Sequence, residues 1–153
     1  MTLRQGARIH VTAPEVMLAD VLTAAIVYYG VPMSDFRSAS RARPIVQKRQ
    51  VAMYVARRMT RLSMPAIAAR FGGRDHTTVL HAIRRVEQRL ALEPATETQA
   101  RHLLETETAV RVITEIATAT AARRGARLSS TADHDGFEPS LLDSFFDVWT
   151  DTA

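Results

Sequence analysis

Apolar positions recur at helical spacing through most of the chain. Leu18, Val21, Leu22, Ala25, Tyr28 and Tyr29 form the first such series. Pro14 sits where a first helical turn tolerates it, Gly30 has the place of a left-handed residue that closes a helix, and Pro32 is a second stop. Ser34 and Asp35 read as the cap of a brief turn that carries Phe36 into the core. Pro44 opens a second long series, Ile45, Ala52, Val55, Ala56 and Met59, with Lys48, Arg49, Arg57 and Arg58 read as lying off that stripe. Ser63 has the place of an N-cap, Pro65 is tolerated in the turn that follows, and Ile67, Ala68 and Phe71 are core positions. Ala66 stands where a capping box would have Glu, which costs this short helix some stability.

The next segment separates two faces most cleanly. Asp75 is placed to cap a helix in which Val79, Ile83, Val86 and Leu90 share one side, with Leu80 at its edge. Thr77, His81, Arg84, Arg85 and Gln88 fall opposite, so one face packs and the other is basic and hydrogen-bonding. Residues 91–98 are a connection broken by Pro94. A last helix is predicted over about 99–122, with Leu103, Val110, Ile113 and Ala117 on the side that closes the core or meets a second copy. The pattern predicts an all-α fold of five or six helices over 14–122, preceded by a loose N-terminus (1–13) and followed by a flexible linker and tail (123–153). A short helix, a Gly-Gly turn and an amphipathic helix over about 63–90 read as a helix-turn-helix, a unit whose second helix enters the major groove of DNA. A plain helical hairpin with a solvated charged face gives the same pattern.

Charge weighs on that choice. The apolar fraction of 46% is ordinary for a protein with a core, and the net charge is only +4. Its distribution is uneven. Residues 31–90 carry thirteen Lys and Arg against Asp35, Asp75 and Glu87, whereas 129–153 carry six acids and no Lys or Arg. A block that basic on a helical scaffold suits a phosphate-binding surface, and all but Lys48 of those cations are Arg, which matches phosphate and guanine in two-point contacts. With no cysteine there is no disulfide framework and no thiolate zinc site. No apolar run has the length of a membrane span, and the first residues lack the apolar stretch of a signal peptide, so the expected location is the cytoplasm, in association with the nucleoid.

The residues that decide between a hairpin and a DNA reader are the run Phe71 to Ala82 (FGGRDHTTVLHA), with Arg49-Gln50, Ala52-Met53-Tyr54 and Ser63-Met64-Pro65-Ala66-Ile67 ahead of it. Together they resemble the C-terminal DNA-binding domain of the bacterial replication initiator DnaA. The specific part covers residues 49–82 and the broader likeness residues 14–117. It implies a helix-turn-helix of the Trp-repressor-like type that binds double-stranded DNA at DnaA-box-like sites, in the regulation of replication initiation or transcription. It also implies roles. Arg74, Asp75, His76 and Thr77 would read bases in the major groove, and Arg49 would reach into the minor groove. Arg37, Arg41 and Arg43 would meet phosphates from a basic loop. Many relatives have Pro where Lys48 stands, and a cation there suits DNA equally. Ser63, Thr78, His81, Arg84 and Arg85 complete the expected interface, Thr78, Arg84 and Arg85 on phosphates, which position a protein without specifying sequence. Asp75 does not bind phosphate, so beside DNA it caps its helix or accepts from a cytosine amino group.

Enzymatic readings are weak. His76 and His81 are five apart and do not converge as the i, i+4 pair of a helical zinc site does; no third ligand is evident. Ser63 has no adjacent base, and no Gly-x-Ser-x-Gly elbow is present. No G-x-x-x-x-G-K-[ST] run exists to cradle a nucleotide, so the expectation is a stand-alone reader without the AAA+ ATPase domain of a full DnaA initiator, with no cofactor, metal or catalysis. Beyond the likeness to DnaA, Leu141, Phe145 and Trp149 lie at i, i+4, i+8 among acids. Such a stripe packs on its own domain, docks on a protein partner, or covers the basic surface and competes with DNA. The rival function is accordingly a helical interaction adaptor that works through the last helix and this tail.

Overall fold

The computed structural model describes residues 14–130, and every regular element among them is helical. The helices are α1 (Leu18–Tyr29), α2 (Met33–Arg37), α3 (Arg43–Met59), α4 (Met64–Arg70), α5 (His76–Leu90) and α6 (Glu97–Ser130). The all-α expectation holds. Residues 1–13 and 131–153 lie outside the described set, so the expected tail stripe of Leu141, Phe145 and Trp149 does too.

α3 is the spine, because it packs against α1, α2, α4 and α5. Six consecutive residues, Val51, Ala52, Met53, Tyr54, Val55 and Ala56, are buried, so this part of the helix is surrounded rather than one-sided. Leu18, Val21, Leu22, Ala24 and Ala25 of α1 join the same core, as do Phe36, Ile67, Phe71, Val79, Ala82, Ile83 and Val86. α6 contributes Ala109, Ile113 and Ala117. Its buried line is Thr106, Ala109, Ile113, Ala117 and Ala121, spaced by three and four. The predicted Leu103 and Val110 lie half-buried at its flank.

The punctuation explains the boundaries. α1 ends at Gly30, which takes the left-handed conformation (φ 62°) and donates its N–H to the Ile26 carbonyl at 2.9 Å. α1 begins later than Pro14 suggests; the Asp20 carboxylate accepts from the Met17 N–H at 2.8 Å across its first turn. α3 stops at buried Thr60, whose hydroxyl donates to the Ala56 carbonyl at 2.7 Å, and Arg57 spans the following turn to the Leu62 carbonyl at 3.0 Å. α4 is capped by the Ser63 hydroxyl, which accepts from the Ala66 N–H at 3.3 Å.

One boundary differs from the reading of the sequence. The flexible linker is expected from residue 123, but α6 continues as helix to Ser130. Gly125 weighs too heavily in that expectation: Arg123, Arg124, Ala126, Arg127 and Leu128 around it all favour helix. Residues 14–122 form one compact unit, and the helical residues 123–130 belong to a second. No helix among the described residues is long and apolar enough to cross a membrane.

Candidate nucleic-acid interface

The exposed face of α5 is set from within. Val79, Ala82, Ile83 and Val86 are buried, which turns Thr77, His81, Arg84, Arg85 and Gln88 to solvent together. Asp75 fixes the start of this face. Its Oδ1 accepts from the Thr77 N–H at 2.7 Å and from the Thr77 hydroxyl at 2.6 Å. Those two bonds, and then His76, pull the exposed Asp75 carboxyl below its ordinary value. The His76 ring lies 3.5 Å from the same carboxylate and stays more than half exposed. Thr77 therefore has its hydroxyl proton committed to the cap and its methyl free. Thr78 is half-buried beside them.

The turn before α5 is docked onto the segment that joins α2 to α3. Gly72 and Gly73 both have positive φ, 89° and 66°. A Cβ at Gly72 would overlap the Arg37 carbonyl oxygen, so only glycine lets the two backbones meet there. Phe71 and Phe36 pack edge to face with ring centres 6.4 Å apart. Arg74 donates through Nε to the Phe71 carbonyl at 3.1 Å and through Nη2 to the Ser38 carbonyl. The turn and the basic segment are one packed unit.

Arg49 corrects the sequence reading. The expectation has it extend from the surface into the minor groove, yet it is only 4% exposed. Its Nε donates to the Phe36 carbonyl at 3.0 Å, Nη1 to the Ser40 carbonyl at 3.3 Å, and Nη2 to the Asp35 and Ser38 carbonyls, both at 2.9 Å. Burial and the neighbouring Arg74 pull its pKa down, Asp35 opposes them, and the four carbonyl dipoles hold the charge. The cause is visible in the spacing. Residues 45, 49, 52, 56 and 59 follow one another by four, three, four and three, so Arg49 lies within the stripe it seemed to avoid.

The other expected residues divide into two groups. The side chains of Arg37, Arg41, Arg43, Arg84 and Arg85 belong to exposed residues and make no hydrogen bond or ion pair among the described residues. Three are engaged in the fold: Ser63 caps α4, Arg74 holds the Ser38 carbonyl, and Lys48 lies with its ammonium 5.6 Å over the Tyr29 ring. Lys48, Arg43, Tyr29 and Arg89 border a cavity of about 640 Å³. Arg89, bonded to the Gln50 side-chain oxygen, belongs to this basic surface although the sequence reading omits it. Burial first, then Arg85 and Arg43, lower its pKa, while Tyr29 opposes. Burial and Tyr28 push the Tyr29 hydroxyl up, with Arg89 opposing. Arg89 follows Arg85 by four, and that spacing is the available signal.

Residues 18–86 match the family model described as bacterial dnaA protein helix-turn-helix. These residues form a DnaA-type helix-turn-helix domain. A chromosomal replication initiator protein DnaA of Enterococcus faecalis is 50% identical over 68 residues, which are 44% of this chain and 15% of that protein. The DnaA of a Caulobacter species is 45% identical over 89 residues, 57% of this chain and 18% of the relative. The DnaA of Brucella abortus is 58% identical over 60 residues, 39% of this chain and 12% of the relative. The chain thus spans less than a fifth of the length of these DnaA proteins. Within the DnaA-type domain, α4, the Gly72-Gly73 turn and α5 are the helix-turn-helix, and the unit docked on its turn is the segment bearing Arg37, Arg41 and Arg43.

Proposed function

We propose that this DnaA-type domain binds duplex DNA specifically at DnaA-box-like sites and acts in the regulation of replication initiation or transcription, in the cytoplasm at the nucleoid. The observation that carries the reading is the α5 face: Thr77, His81, Arg84, Arg85 and Gln88 stand exposed opposite a buried side, and exposed His76 opens the helix beside a preformed cap. In this reading His76 and the Thr77 methyl meet base edges in the major groove, and the free Asp75 oxygen accepts from a cytosine amino group. Arg84, Arg85 and the exposed Arg37, Arg41 and Arg43 meet phosphates on either side.

A salt titration tests DNA binding as such. With five phosphate-bound arginines, log K for a duplex falls by about 4.5 per decade of salt, at roughly 0.9 for each neutralised phosphate. An affinity that is absent, or flat with salt, supports the interaction adaptor instead.

A further inference from the structure

The cavity of about 640 Å³ beside Tyr29 is lined from α1, α3, the end of α5 and the start of α6, and takes in none of the residues from Asp75 to Gln88. Three cations border it, Arg43, Lys48 and Arg89, against one acid, Glu105. Glu105 already has a neighbour, the His102 ring at 3.4 Å. None of the three cationic side chains makes an ion pair among the described residues. Lys48 has the Tyr29 ring, and half-buried Arg89 has only a neutral partner, the Gln50 side-chain oxygen. Burial and the nearby Arg85 and Arg43 already weigh against the Arg89 charge. A guanidinium drawn out of water beside like charges, with no carboxylate on it, is electrostatically uphill, and an anion in the cavity relieves it. α3 adds to the same field. Its first residues, Arg43 and Pro44, belong to the lining, and its first turn has neither a side-chain cap nor an acid.

Much of the remaining wall is apolar. Leu103 is half-buried there, and Leu92 is a large apolar side chain left 45% exposed on the same lining. We propose that this cavity binds a small molecule carrying a phosphate monoester on an apolar or aromatic body, with Arg43, Lys48 and Arg89 on the phosphate and Leu92 and Leu103 against the body. The volume is that of a small-molecule site. The cations outnumber the acid by two, which matches the nearly double charge of a phosphate monoester better than the single charge of a carboxylate. Two guanidinium forks and an ammonium suit its oxygens. A bare phosphate leaves most of the space and the whole apolar wall unused. The proposal does not rest on the DNA-binding reading.

The test is isothermal titration calorimetry of the full chain, without DNA and at near-physiological salt. The probes are adenosine monophosphate, inorganic phosphate and vesicles of anionic phospholipid. Adenosine monophosphate is expected to bind at a single site and more tightly than inorganic phosphate, because the apolar wall takes its body. Lys48→Gln together with Arg89→Gln weakens it about tenfold or more, as loss of charge-assisted bonds does. The charge-matched pair Arg61→Gln and Arg70→Gln, outside the lining, changes it less than about twofold. Leu92→Ser lowers the nucleotide toward the affinity of inorganic phosphate and leaves inorganic phosphate unchanged. If the double cavity variant does not fold by circular dichroism, Lys48→Gln alone carries the comparison. Equal losses in the cavity and control variants mean diffuse attraction to a basic protein and overturn the proposal. So does no binding of adenosine monophosphate, or a response to the vesicles alone.

Discussion

Arg49 and Arg74, one from the middle of α3 and one from the turn before α5, donate to the same acceptor, the main-chain carbonyl of Ser38. That shared acceptor accounts physically for the Phe-Gly-Gly-Arg run. Phe71 packs on Phe36, Gly72 admits the Arg37 carbonyl, and Arg74 holds the next one along. A sequence that looks like a recognition motif is, in Phe71, Gly72 and Arg74, a docking surface for a basic segment.

The two glycines of that run are not equivalent. Gly73→Ala meets open space and suffers only the left-handed backbone, about 1–2 kcal/mol. Gly72→Ala suffers the same strain and also drives a methyl group into the Arg37 carbonyl. Urea unfolding is therefore expected to show Gly72→Ala as clearly the less stable, with DNA affinity lost alongside. Equal stabilities mean the close approach at Gly72 has no energetic weight.

Thr77 separates capping from reading. Its hydroxyl is bound to Asp75 and its methyl is free, so Thr77→Ser keeps the cap and removes the group that meets a thymine methyl. Thr77→Ser and His76→Ala are each expected to relax preference at particular base positions by about 1–3 kcal/mol, while Thr77→Val keeps the preference at the thymine. Binding to a panel of single-substituted duplexes checks this. Uniform weakening across the panel removes both residues from the base-reading set.

Arg85 is expected to behave differently. Arg85→Ala should weaken cognate and scrambled duplexes alike and reduce the salt slope by about 0.9. A loss confined to the cognate duplex moves Arg85 from phosphate to base contact.

Acid should loosen the start of α5. The folded Asp75 carboxyl titrates below its ordinary value of 3.8, so its cap contribution is complete above that value and is lost as pH falls through the lower, folded one. The Thr77 amide resonance is expected to titrate with a midpoint below 3.8 and to show no such transition in Asp75→Asn. A midpoint at or above 3.8 contradicts the cap.

Much of this is legible in the residues. Gly30, Ser63 and Asp75 do at their helix ends what their side chains and positions announce, and the two faces of α5 follow from spacing alone. Arg49 misleads because charge is ordinarily a sign of exposure. Its helical position puts it among Ile45, Ala52 and Ala56, but the carbonyls that satisfy it lie nine to fourteen residues earlier in the chain. Arg74 bonds Ser38, thirty-six residues away, and Gly72 meets Arg37 across a similar gap. Such pairings have no period, so they emerge only when α2, α3 and the turn are packed together. The length of α6 is underestimated for the opposite reason: a local signal, Gly125, outweighs its helix-forming neighbours in the pattern but not in the fold.

The most direct measurement is fluorescence anisotropy of the full chain with a duplex carrying a DnaA box and a scrambled duplex of equal length, at near-physiological salt. The expected result is a preference of about a thousandfold or more for the DnaA box, the span of a sequence-specific reader. Equal affinity for both duplexes, or binding to neither, contradicts sequence-specific reading by α5.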